Sequence, residues 1–160
     1  MKKINVVASA TVFKDVTELS TNVQLLMEKA VEAREKAYAP YSKFKVGVAL
    51  LLENNQIILG NNQESAAYPS GMCAERVAIW RASSEFPGVI VKQLAITASS
   101  ANVLVDRPVG PCGACRQTLS EYEIKQKKPI EIYFMGEEGD IVKTDSLLSL
   151  LPFSFDSTYL

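Results

Sequence analysis

The chain has 160 residues, 48% of them apolar and 22% charged, with a formal net charge of −1. That is the size of one domain and the balance of an ordinary globular protein. The charge leaves no electrostatic footprint for nucleic acid, and no apolar run is long enough to cross a bilayer. There is no histidine, which excludes Ser-His-Asp triads, Cys-His nucleophiles, H-E-x-x-H zinc proteases and histidine bases. Proton transfer must therefore use Glu, Asp, Lys, Tyr, Cys or water.

Alternation of Ile4, Val6, Ala8, Ala10 and Val12 predicts an N-terminal strand or arm, set apart as residues 1–15 from a single domain at 16–160. Met1-Lys2-Lys3 and Ala8-Ser9-Ala10 have the outline of a secretory signal. Its apolar core is short and broken by Asn5, so export is not expected. Residues 16–37 read as a helix, with Val23, Leu26, Met27, Ala30, Val31 and Ala37 on one face, stopped before Pro40. Residues 44–52 and 57–61 read as strands around the turn Glu53-Asn54-Asn55-Gln56. A loop at 62–71 leads to a helix at 73–83, then a strand at 89–97 and an irregular loop at 99–110. A second helix starts near Cys112. Lys125, Lys127 and Lys128 after it read as a solvated turn. Strands at 129–135 and 140–143 flank Gly136-Glu137-Glu138-Gly139, and a short helix at 146–151 ends at Pro152. Interleaved helices and strands predict an α/β fold with helices layered on a sheet.

All three cysteines lie in two short stretches, Pro69-Ser70-Gly71-Met72-Cys73-Ala74-Glu75-Arg76 and Pro111-Cys112-Gly113-Ala114-Cys115-Arg116. An odd number cannot form a complete disulfide framework, and a reducing, cytoplasmic setting fits better. Cys112-x-x-Cys115 alone fits a redox dithiol, half a zinc site or two buried thiols; Cys73 weighs among these. A closed structural zinc site takes four ligands, usually Cys and His, whereas three ligands and an open position is the catalytic form. Cys73, Cys112 and Cys115 are thus expected to hold one Zn2+. Both stretches open helices, where unpaired backbone N–H groups favour thiolates. Arg76 or Arg116 could further offset the sulfur charge. Glu75, two residues after a ligand, is the candidate proton carrier, although a first-turn glutamate is also ordinary helix chemistry.

These residues match the zinc-deaminase signature in its three-cysteine form, and the chain resembles the cytidine deaminases, the small zinc enzymes of free nucleosides. The resemblance runs over about residues 37–155. It rests on Tyr41-Ser42-Lys43-Phe44-Lys45-Val46-Gly47, Asn62-Gln63-Glu64, the two cysteine stretches with Gln117, and Leu150-Leu151-Pro152 with Phe155. It implies a three-layer α-β-α fold with a five-stranded mixed sheet, to which the N-terminal segment could add a strand. It also implies a homotetramer with pockets shared between subunits. Asn62 and Glu64 would bind ribose, Phe44 would pack near the pyrimidine, and Ala74 would offer backbone contacts to the base. Phe155 would cover a neighbour's pocket, and Arg76 would temper the thiolate charge. Read without the resemblance, Asn-x-Glu in a loop is usually solvated or turn-forming, and Phe44 is ordinary core. Ser65 departs from the family, which usually has Asn there, and the loop at 99–110 looks long.

The implied reaction is hydrolytic deamination of cytidine and deoxycytidine to uridine and deoxyuridine plus ammonia, a step of pyrimidine salvage. Zinc-bound hydroxide would attack, with Glu75 as proton shuttle. No nucleic-acid or membrane partner is expected. The competing expectations are a deaminase of another aminopyrimidine or a nucleoside antibiotic, and a zinc-stabilised protein without catalysis.

Overall fold

The computed structural model describes residues 1–160. Six strands form one mixed sheet: β1 (Thr11–Phe13), β2 (Phe44–Leu52), β3 (Ile57–Asn61), β4 (Val91–Ser100), β5 (Glu131–Met135) and β6 (Ile141–Thr144), in the order β1-β6-β5-β4-β2-β3. All pairs are antiparallel except β4 with β5. That one parallel pair requires a crossover, and α3 (Gly113–Gln126) provides it. Helix α1 (Thr21–Glu35) packs on one face of the sheet, and α2 (Ala74–Glu85) and α3 pack on the other. No helix is long and apolar enough to cross a membrane.

The three-layer expectation holds, and β1 is the added strand. It is shorter than the alternation at 4–12 predicts, because β6 ends at Thr144 and Thr11 already pairs with Lys143. Residues before Ala10 therefore have no residue of β6 opposite them, and no regular element forms before Thr11. The helix expected at 16–37 is split. Val16–Glu18 form a 3-10 turn, and α1 begins after Ser20. The expected C-terminal helix is a 3-10 turn, Leu147–Leu150.

Alternation divides the core between the two faces. Val48, Leu50, Leu94, Ile96 and Ile132 face α2 and α3, whereas Ala49, Ala95 and Tyr133 face α1. In β4, Leu94 through Ala98 are all buried, as expected of a central strand covered on both sides. Two glycines set the helix spacing. A Cβ on Gly47 would lie 2.1 Å from the Ala30 carbonyl oxygen of α1, and one on Gly60 would lie 2.5 Å from the Ala74 carbonyl oxygen of α2. Helix α3 is tied down through the buried carboxylate of Glu123. It accepts from the amides of Ile130 (2.7 Å) and Leu147 (2.8 Å) and from the Ser146 hydroxyl.

The fit at Gly60 involves the first turn of α2, which follows Cys73. Gly60→Ala is expected to destabilise the protein by about 1–3 kcal/mol, the usual cost of overpacking. Urea unfolding within about 0.5 kcal/mol of the parent would show that the helix moves aside freely.

Candidate metal centre and pocket

Cys73 and Cys112 are the N-caps of α2 and α3, with extended φ/ψ values of −72°/150° and −67°/167°. Neither side chain makes a capping bond, so both sulfurs are left to other partners. Three residues on, at the same level of each helix, stand Arg76 and Cys115. The two helix starts therefore meet as three sulfurs and one guanidinium.

All three sulfurs lie within 4.8 Å of one another, and Cys73 Sγ is 3.9 Å from Cys112 Sγ. Tetrahedral zinc with Zn–S bonds of about 2.3 Å requires sulfurs roughly 3.8 Å apart. The cluster fits a zinc ion. Its chemistry points the same way. A hydrogen bond from Cys115, helped by Arg76 and opposed by burial, brings the Cys73 thiol down to about 5. Cys115 moves up, because its bond to Cys73 and its burial both hold the proton. Protein groups alone thus favour a thiolate at Cys73 and a thiol at Cys115. Ionising all three needs a cation among them.

Arg76 Nη2 donates to Cys73 Sγ at 3.3 Å, and its Nε is buried without a partner. Of the two arginines expected near the sulfurs, Arg116 is engaged elsewhere. It donates to the carbonyls of Pro111 (2.8 Å) and Leu150 (2.9 Å).

A cavity of about 300 Å³ opens beside Cys73 and Cys112. Phe44, Asn62, Glu64, Ala74 and Glu75 line it, all singled out in the sequence. Ser42, Val46, Ile96, Val109 and Gly110 also line it. Ser42 lies within a stretch that carries the family resemblance; Val109 and Gly110 precede Pro111 in the irregular loop and carry no signal of their own. Glu75 is 5% exposed, and burial raises its pKa. A neighbouring cavity of about 450 Å³ shares Ser42, Asn62, Glu64 and Cys73 and extends to Ser65 and Tyr68.

Asn62 is tied to β2: its Oδ1 accepts from Val46 N (2.7 Å) and its Nδ2 donates to Phe44 O (3.0 Å). Glu64 accepts from the Ser42 hydroxyl and from Tyr41 N at 2.9 Å, and these bonds hold its carboxyl below the usual range. Ser65 Oγ accepts from Ala67 N at 3.2 Å. Phe155 lines neither cavity. Its carbonyl accepts from Gln117 Nε2 (2.9 Å), while the residue is 59% exposed and its ring stacks on Tyr159.

Residues 20–128 match the family model described as the cytidine and deoxycytidylate deaminase zinc-binding region. The chain is 41% identical over 132 residues to a cytidine deaminase of Halalkalibacterium halodurans, covering 82% of this chain and 92% of that protein. It is 42% identical over 135 residues to one from Sporosarcina psychrophila, covering 84% and 91%. A crystal structure of cytidine deaminase from Burkholderia pseudomallei superposes with a TM-score of 0.72 at 37% identity, covering 86% of this chain and 100% of that one. The corresponding structure from Mycobacterium leprae gives 0.61 at 34%, covering 83% and 99%.

The contact of Arg76 with Cys73 has a measurable consequence. Arg76→Gln is expected to weaken zinc retention about tenfold in chelator competition, the scale of losing a support to a metal ligand. Arg81→Gln, which breaks only an exposed pair with Glu85, is the comparison. Equal zinc loss from both variants would remove Arg76 from the metal site.

Proposed function

Because this chain belongs to the cytidine deaminase family, we propose that it hydrolyses the 4-amino group of cytidine and deoxycytidine, giving the uracil nucleosides and ammonia. Such a reaction would be a step of pyrimidine salvage. The observation that carries the proposal is the meeting of three sulfurs within 4.8 Å beside a cavity that also holds a buried carboxylate.

Cys73, Cys112 and Cys115 would hold zinc, which supplies Lewis acidity and makes water nucleophilic near neutral pH. Glu75 takes one proton from the attacking water and passes it to N3 of the pyrimidine; it then takes the second, from the new hydroxyl at C4, and delivers it to the departing 4-amino nitrogen. The C4–N bond breaks as ammonia leaves, and oxygen from water remains at C4. A buried carboxyl suits this task, since burial brings its pKa closer to working pH.

Substrate is positioned by groups that the fold already restrains. Glu64, held as a carboxylate by Ser42 and Tyr41, accepts ribose hydroxyls. Asn62 keeps a second amide hydrogen for the sugar while its side chain fastens the loop to β2. Phe44 packs on the ring and Ala74 offers backbone to the base, as the cavity lining allows. Fixing the substrate in this way lowers the entropic part of the barrier. An anionic Glu64 at the sugar position also supports a nucleoside over its 5′-phosphate, since like charges repel.

Phe155, exposed and held at the flank of α3 through its carbonyl, supports a homotetramer in which it covers a neighbour's pocket.

Ammonia release from cytidine, run beside metal analysis, tests the assignment. Glu75→Gln is expected to retain zinc and lose kcat by at least about a hundredfold, the scale of general acid–base catalysis. Near-parental turnover in the folded, zinc-loaded variant would take Glu75 out of its role.

A further inference from the structure

The segment between β4 and α3 runs from Ala101 to Cys112, and its far end forms part of the cavity through Val109 and Gly110. It belongs to no helix or strand, so its position must come from its contacts. At the start, Ala101 N donates to Lys43 O at 3.1 Å, and Asn102 Nδ2 approaches Ser42 O at 3.4 Å. Val103 and Leu104 are then exposed, at 66% and 59%. The chain turns inward again at Val105, which is 8% exposed.

From there it lies on the β5–β6 turn. Val105 O accepts from Glu137 N at 2.7 Å. A Cβ on Gly136 would lie 2.2 Å from Val105 O and 2.8 Å from Arg107 O, and one on Gly139 would lie 2.4 Å from Asp106 O. These are backbone atoms of consecutive residues, so no side chain can swing aside to make room. Gly136 is itself fixed from the sheet. Its carbonyl accepts from Thr97 Oγ1 at 2.8 Å, and Thr97 Oγ1 accepts from Arg34 Nη1 at 2.9 Å. Thr97 is fully buried and Arg34 is 6% exposed. A guanidinium so enclosed is held firmly by its partners, because losing one would strand a buried donor.

We propose that Gly136, clamped by Thr97 and Arg34, is a positioning residue for the nucleoside: it seats residues 105–107 and thereby places the Val109–Gly110 wall of the pocket. Arg34 then links α1, on the opposite face of the sheet, to the substrate side. The proposal rests on the nucleoside-binding assignment above. It explains why the β5–β6 turn carries glycine at 136, where no left-handed backbone requires one: the constraint is close approach.

Gly136→Ala tests it, with Thr97→Val as a second variant that removes the hydroxyl without crowding the loop. Hydrogen exchange over residues 101–110 is expected to speed up at least about tenfold relative to the core strands. KM for cytidine is expected to rise roughly tenfold, the scale of a modest misplacement of substrate, while kcat stays within about twofold and zinc stays stoichiometric. Unchanged exchange in both folded variants overturns the seat. Faster exchange with an unaltered KM overturns its role in the pocket. Loss of kcat together with zinc overturns it as well, because the turn would then be supporting Cys112. Absence of cytidine turnover in the parent would defeat the functional assignment alone, since the exchange measurement needs no substrate.

Discussion

Three cysteine sulfurs within 4.8 Å repel one another as soon as they ionise, and the rest of the structure is arranged to tolerate that repulsion. Like charges at such separations cannot coexist in a partly buried site without compensation. Three sources supply it. Two helix N-termini aim unpaired N–H groups toward the cluster, Arg76 donates directly to Cys73, and a divalent ion fits the space between the sulfurs. Three thiolates, one zinc and one guanidinium sum to zero net charge. This accounts for different residues at equivalent positions of the two helices. Helix α3 places a third ligand three residues after its cap, and helix α2 places a cation there. Two helices each bearing a pair of cysteines would close the metal shell and leave no open position for chemistry.

Bringing two helix starts together demands that the sheet let them approach. Gly60 on β3 presses on the Ala74 carbonyl, and Ala74 and Ala78 are completely buried. Small residues at this contact bring the backbone of α2 close to the sheet. On the other face Gly47 does the same for α1. These two glycines sit on adjacent strands, next to each other in register but facing opposite sides, since Gly60 pairs with Val48 and Gly47 with Asn61. The tail beyond β6 is then secured to α3 by Glu123, Arg116 and Gln117. The helix that supplies two sulfurs is therefore braced along much of its length by polar contacts and not by apolar burial alone.

Most of this was legible in the residues. Alternation in 44–52 and apolar runs bounded by turn residues elsewhere gave β2 through β6 to within a few residues, and the proline and glycine before each cysteine marked the helix starts. The metal cluster was legible because its ligands are chemically rare and confined to two short stretches that each open a helix. The misses have physical causes. The N-terminal alternation promised a longer strand, but β6 is too short to pair with it, and a partner's length is not written in the strand itself. The split before α1 follows the Asp15 side chain, which accepts from Thr17 N and caps the separate 3-10 turn, and the extended backbone at Leu19 and Ser20 that ends it inside an apparently continuous pattern. Val109 and Gly110 escaped notice because their part in the pocket depends on how a loop is seated, and that seat lies some thirty residues further on. Arg34 is not on the apolar stripe expected for this helix, yet it is buried against Thr97.

The placement of Glu75 follows from the same geometry. As the second residue of α2 it is bound to Cys73 by helical spacing, so any fold that brings Cys73 to the metal brings this carboxyl to the pocket as well. Two opposing influences act on it. Burial in the cavity wall favours the protonated form, and its backbone contact at the helix start and Arg76 favour the carboxylate. The proton-carrying role proposed for Glu75 calls for an environment that raises its pKa without removing every support for the carboxylate. The first turn of a helix packed against a tight sheet provides such an environment from backbone dipoles and side-chain burial, without a histidine anywhere in the chain.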